Sequence, residues 1–370
     1  MKVKSVNGPK KLANVLLSVN VGWSHEPVGM RGISHFLEHS VFLGSGEHPE
    51  PDMDVGKYGV MLNGETQADR TNFFFSSLPE DAEDVLEILL SLVYHPSFPP
   101  EKVEEEKESK IIPAVVKESD FYPWELAYEW ARNLIFEWDF RYSMGTEDEF
   151  RSIGIEELRE WHRKHYHSGN SLLLASEGID IPNITIPEGH SRPEVQRIVY
   201  GEREKIIEKD MKNAEIVCAF PLDKYDIRTY LLSILLGNYA TSRLWREFHR
   251  DAYMVESKVE WHNGKGGFFL YVGANSRDFK SICERMENLL EGLHFTGEEV
   301  EIAKKIFAIE ILERDNSVYR MESILNIDPE LRFGSVEKIL GAIGELELHD
   351  VDEYAYQVLN LEEMRRVVVK

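Results

Sequence analysis

Cysteine is almost missing from this chain. Only Cys218 and Cys283 occur among 370 residues, too few for a disulfide framework, and each reads as a small buried hydrophobe. Glutamine is scarce: Gln67, Gln196 and Gln357 stand beside abundant Glu, Lys and Arg, a balance that leans towards heat stability. Positive charge is in deficit. Lys and Arg number 42 against 66 Asp and Glu, for a formal net charge of −24. That argues against a nucleic-acid binder and against attraction to anionic membranes, and it suits basic or unfolded peptide partners. No stretch reaches the roughly 18 uninterrupted apolar residues of a membrane span. Ala13 to Val21 is interrupted by Asn14 and Asn20, so it reads as a strand rather than a signal peptide, and a cytoplasmic protein is the expectation. What is present suffices for a core: 42% of residues are apolar, and the length suggests two domains or one large one.

The stretch Gly29 to Ser45 contains His35-Phe36-Leu37-Glu38-His39. On a helix His35 and His39 fall four apart, so both rings share a face and can hold one Zn²⁺. Glu38 stands beside them, within reach of a water that the ion would acidify, and can act as general base. His-x-x-Glu-His is the inverzincin order. Phe36, Leu37, Val41, Phe42 and Leu43 supply an apolar face, which a packed pair of histidines would equally use. Gly29, Gly32 and Gly44 let the chain enter and leave closely.

Gly32 to Ser45 resembles the zinc helix of the pitrilysin-type peptidases, and further stretches agree. Leu62-Asn63-Gly64 with Thr66 is similar to the family's Leu-Asn-Ala-x-Thr edge strand, which pairs with the substrate backbone; Asn63 is also compatible with a plain turn. Tyr94 to Pro100 resembles the break before the family's second zinc helix, expected here over Glu101 to Lys117. The resemblance implies a third ligand, a Glu about 76 residues after the second histidine, with a supporting Glu seven residues before it. Glu108 fits the earlier place. Position 115 holds Val115, which cannot ligate. Glu118 or Glu108 could reach inward, water could complete the shell, or the site could have decayed. His95 reads as a turn residue. His162 and His165 read as members of a packing helix over Ile155 to Tyr166, with His167 just past its end.

The second half repeats the first half's pattern: strand Glu215–Phe220, helices Tyr225–Leu236 and Thr241–His249, and a hairpin of Tyr253–Trp261 with Gly267–Ala274. Ser242-Arg243-Leu244 and Ala252-Tyr253 resemble the family's Ser-Arg-Leu…Gly-Leu-Ala-Tyr stretch, which implies that Arg246 and Tyr253 bind the substrate carbonyl. The loop is shorter than the family's, so His249 or Arg250 could take the place of Arg246. A helix-surface arginine and a core tyrosine are the plainer reading of the pair.

The expected fold is α+β: two related domains, residues 1–180 and 202–370, joined by a Pro-rich linker 181–201. Each is a mostly antiparallel sheet with helices packed on one face. The resemblance, to a half-length two-domain member like the mitochondrial processing peptidase subunits, implies a chamber of two chains. The partner is then a second copy or a homologous chain. The expected function is a zinc endopeptidase for unfolded peptides. His35 and His39 are its Zn²⁺ ligands, Glu38 and Glu108 its catalytic carboxylates, and Asn63, Arg246 and Tyr253 its substrate contacts. The alternative is a non-catalytic or zinc-impaired partner subunit.

Overall fold

The computed structural model describes all residues except 7–10, 119–121, 140–144, 191, 196, 238 and 316–317, and the side chain of Glu118. The chain forms two compact units, each built on a five-stranded sheet.

The first sheet has the order β1-β5-β2-β4-β3, with β1 (Lys2–Val6), β2 (Ala13–Val19), β3 (Asn63–Thr66), β4 (Thr71–Ser77) and β5 (Ser171–Ser176). β1 and β5 pair in parallel; the other three pairings are antiparallel. β2 is buried along its whole length, as its run Val15-Leu16-Leu17 demands of a central strand covered on both faces. The helices of this unit are α1 (Ile33–Val41), α2 (Pro51–Gly56), α3 (Ala82–Tyr94), α4 (Pro100–Glu106) and α5 (Ile112–Glu118). The next helix, α6 (Pro123–Phe136), belongs to the second unit, and α7 (Glu147–Ser152) and α8 (Ile155–His165) return to the first. Val15, Leu17, Phe73 and Phe75 of the sheet meet Phe36 and Leu37 of α1 and Leu86 and Leu89 of α3 in one core.

The second sheet repeats the order as β6-β10-β7-β9-β8. Its strands are β6 (Glu204–Ile207), β7 (Asn213–Leu222), β8 (Ala252–His262), β9 (Lys265–Asn275) and β10 (Arg365–Val369). β6 and β10 are again the parallel pair. Between β7 and β8 lie α9 (Arg228–Leu236) and α10 (Arg243–Phe248). Then follow α11 (Phe279–Glu291), α12 (Gly297–Asp315), α13 (Arg320–Ile327), α14 (Val336–Gly344) and α15 (Leu348–Val358).

The expected α+β pair of mostly antiparallel sheets is what the structure has. The division of the chain is more interleaved than 1–180 and 202–370. α6 packs on β7, β9 and β10, and residues 314–323 pack with the first unit, where Tyr319 meets Phe74 at 5.5 Å between ring centroids. An amphipathic stripe says that a face is buried, not which sheet buries it. The described part of the Pro-rich stretch 181–201 carries no regular structure. Among the described residues no helix is long and apolar enough to cross a membrane.

Candidate metal centre

The 3.6-residue period of α1 turns Ile33, Phe36, Leu37 and Val41 into the core, leaving His35 and His39 on the half-exposed side. The helix begins at Gly32, whose φ of +90° lies in the left-handed region open to glycine. No side chain at that position can cap it. Glu26 does so from six residues upstream, accepting the N–H groups of Gly32 (2.6 Å) and Ser34 (2.8 Å). Burial pushes the Glu26 carboxyl up to about 7, against the pull of those two N–H groups. Glu149 of α7 fixes the preceding loop by accepting from the Gly29 N–H (3.1 Å) and from Arg31 Nε (2.9 Å).

The Nε2 atoms of His35 and His39 face each other at 3.1 Å. Two nitrogens bound to one tetrahedral zinc are about 3.3 Å apart, so the pair is spaced as two ligands of one ion. His39 Nδ1 lies 2.9 Å from Glu106 Oε1, and Lys110 Nζ lies 2.8 Å from Glu106 Oε2. Burial raises the Glu106 pKa, but the bonds from Lys110 and His39 outweigh it and hold the carboxyl below its usual range. A carboxylate accepting from Nδ1 fixes the tautomer that presents Nε2 to a metal. Burial first, and the neighbouring His39 second, lower the His35 pKa to about 4, so that ring is neutral and fit to ligate. Its buried Nδ1 has no hydrogen-bond partner among the described residues.

Glu38 is only 7% exposed. Thr66 Oγ1 donates to its Oε2 at 3.1 Å. Burial raises its pKa, His39 and Thr66 pulling the other way, which is the direction a general base at neutral pH needs. Gly64 of β3 makes room for it: a Cβ there would sit 2.4 Å from Glu38 Oε1. Trp23, His35, Glu38, His39, Glu65 and Thr66 line the pocket over these groups.

The third-ligand helix differs from its expected form. It is not one α-helix but α4, a π turn over Lys107–Ile111, and α5. Pro113 supplies a cause: it lacks an N–H and its ring clashes with the carbonyl four residues back, so the turn widens there. Glu106 consequently stands at His39, whereas Glu108 pairs on the surface with Arg151 at 2.9 Å. Glu108, expected behind the ligands, is thus placed elsewhere, and Glu106 is the carboxylate that sequence reading missed. The repeat Glu104-Glu105-Glu106 held the signal, but a π turn cannot be counted through from spacing. Val115 is 5% exposed and packs in the core. Seven residues past Glu106 stands Pro113, which carries no donor either. The side chain of Glu118 lies outside the described residues. Among the described residues no group of three His, Cys, Asp or Glu converges as a metal site.

Residues 2–125 match the family Insulinase (Peptidase family M16), and residues 178–307 match Peptidase M16 inactive domain. The chain belongs to peptidase family M16. An uncharacterized zinc protease of Rickettsia bellii is 22% identical over 93% of this chain and 89% of its own length. Mitochondrial-processing peptidase subunit beta of Dictyostelium discoideum is 22% identical over 45% of this chain and 36% of its own length. Among solved structures, a protease from Helicobacter pylori superposes with a TM-score of 0.79 at 17% identity, covering 100% of this chain and 98% of the other. A peptidase M16 inactive domain from Pseudomonas fluorescens gives 0.77 at 16% identity, covering 99% and 94%. Both share the fold of this M16 protein.

The remaining candidates fall as follows. Asn63 opens β3, in register with Phe74, and its Nδ2 donates to the Met61 carbonyl at 3.3 Å. Arg246 and Tyr253 belong to the second unit. Arg246 binds Glu299 at 2.7 Å and the Thr241 carbonyl at 3.0 Å through Nε. The Tyr253 hydroxyl donates to Glu215 at 2.6 Å, and burial, ahead of that bond, pushes its pKa up to about 12. Both side chains are therefore held by their own unit. His162 Nε2 donates to the Val93 carbonyl at 2.8 Å, His95 Nε2 to that of Thr185 at 2.5 Å, and His165 packs on Trp161 at 4.2 Å between centroids.

Proposed function

We propose that this M16 protein is a zinc endopeptidase for unfolded peptides, working as one of two chains that together enclose the substrate. The observation that carries the reading is the opposed pair of Nε2 atoms at 3.1 Å with the buried Glu38 carboxylate beside them. The residues present fit two ligands of the ion, His35 and His39, with Glu106 orienting His39. Bound there, zinc would supply a Lewis acid for a peptide carbonyl and for water. Glu38 takes the proton of the attacking water and returns it to the leaving nitrogen, and Thr66 holds the carboxylate in place for both transfers. The strand β3 offers its outer side to an extended peptide, with Asn63 at its start.

A second reading rests on a specific observation: Val115 in the core and no third donor among the described residues favour a zinc-impaired partner subunit. Elemental analysis of the purified protein with hydrolysis of an unfolded reporter peptide separates the two. Glu38→Gln is expected to lower turnover by about 100-fold or more while zinc content is unchanged. Equal turnover in both proteins would place the activity elsewhere. Protein free of zinc and inert, even after zinc is added, would establish the second reading. Sedimentation tests the two-chain assembly; a monomer at micromolar protein, with a homologous chain present, would remove it.

A further inference from the structure

The carboxylates around the site are compensated in different ways. Glu106 has Lys110 and His39, Glu149 has Arg31, and Glu26 has two backbone N–H groups. Glu65 lines the same pocket and makes no side-chain hydrogen bond or ion pair among the described residues. Its charge is felt at the centre, where it adds to the upward shift of Glu38. A half-buried carboxylate with no internal partner takes its compensation from water or from whatever enters the pocket.

The strand fixes where that compensation would come from. Successive residues of a strand face opposite sides. Gly64 and Thr66 turn towards Glu38, so Glu65 points to the other side, in register with Asn72. Trp23 lines the pocket with it. β3 is the edge of the sheet, and among the described residues no strand pairs with its outer side. In a peptide laid along that edge, the residue opposite Glu65 has its side chain on the same face as Glu65. Its neighbours in sequence then face the Glu38 side.

We propose that Glu65 is a specificity-determining residue, selecting a lysine or arginine in the peptide segment that lies beside the His35–His39 pair. The proposal rests on the peptide-binding reading above. The carboxylate supplies the opposite charge for the basic side chain across the strand pair.

Binding tests this without requiring catalysis. The full chain, kept in chelator so that no peptide is consumed, is titrated into fluorescein-labelled unfolded decapeptides that differ only by Lys, norleucine or Glu at one central position. Anisotropy should rank Lys above norleucine above Glu, each step up to about fivefold. Glu65→Gln should erase the step between Lys and norleucine, and Glu65→Lys should invert the order. Raising the salt concentration should shrink the wild-type ranking. Binding that ignores the central residue in all three proteins would overturn this inference and leave the peptide-binding reading standing. Failure of every peptide to bind would overturn both. Circular dichroism of each variant confirms that it folds, and the Glu65→Gln result decides alone if Glu65→Lys does not.

Discussion

The two units share one strand order and fill the same slot with different chemistry. After the central strand of the first sheet comes α1, with His35, Glu38 and His39. After the central strand of the second come α9 and α10. There Thr229 Oγ1 donates to the Asp226 carbonyl at 2.7 Å and Ser233 meets Ser257 at 2.8 Å, while the buried Tyr225 hydroxyl has no hydrogen-bond partner among the described residues. Arg243 and Arg246 both reach Glu299 at 2.7 Å, and the buried Arg243 Nε has no partner among the described residues. In the first unit the buried His35 Nδ1 has no partner and Glu38 leans on one hydroxyl. The same topology thus carries two opposed imidazoles and a buried carboxylate in one slot, and paired hydroxyls with an arginine–glutamate cluster in the other. The second unit keeps the strand order without that cluster of His35, Glu38 and His39, so the fold does not require them, which points to a role outside it.

The sharpest way to break that contrast is Val115→Glu, which restores the ligand spacing of the resemblance but places a carboxylate among core side chains. The expected outcome is a loss of several kcal/mol in urea unfolding with no tighter zinc binding. Unchanged stability with tighter zinc in chelator competition would mean that position 115 faces the ion.

A pH comparison sets one carboxyl from each unit side by side. Burial pushes Glu26 of the first unit and Glu129 of the second up to about 7 from 4.5. Both folded values exceed the unfolded one, so the folded state binds these protons more tightly. Stability from each group is full below 4.5 and is lost as pH rises through about 7, by on the order of 3 kcal/mol per group. Urea midpoints across that window should fall with pH in the wild type and fall less steeply in Glu26→Gln and in Glu129→Gln. A slope unmoved by Glu26→Gln would show that the cap of α1 is hydrated rather than buried.

The smallest expected effect concerns the ligand's orientation. Glu106→Gln weakens the acceptor behind His39 and should lower zinc affinity by roughly 10- to 100-fold with little change in unfolding. Glu299→Gln, the matched change in the second unit, should leave zinc affinity alone. Equal affinities for wild type and Glu106→Gln would remove Glu106 from the centre.

What the sequence disclosed and what it hid divide along physical lines. His35, Glu38 and His39 sit within one helical turn, where spacing fixes geometry, so they were legible together. Glu106 was not, because the π turn and Pro113 lie in the stretch through which register had to be counted. The long strands β2, β4, β7 and β9 announced themselves by apolar runs. β1, β6 and β10 did not: Lys2 to Val6 buries only Val6, and the partners of these short strands are remote in sequence. The home of α6 was hidden for the reason already met, that a stripe names no partner.

The order of strands also bears on how the chain reaches this state. In each sheet the last strand made is inserted between the first two: β5 between β1 and β2, β10 between β6 and β7. Lys2 must wait for Leu172, and Glu204 for Arg366, before the sheet edge between them closes. During synthesis β1 therefore has no neighbour in its sheet until nearly half of the chain has emerged, and β2 presents an unpaired edge for as long. Contacts of such long sequence separation make for slow folding. A unit of this design completes late and all at once, and in the interval its open strand edges are what a chaperone would have to cover.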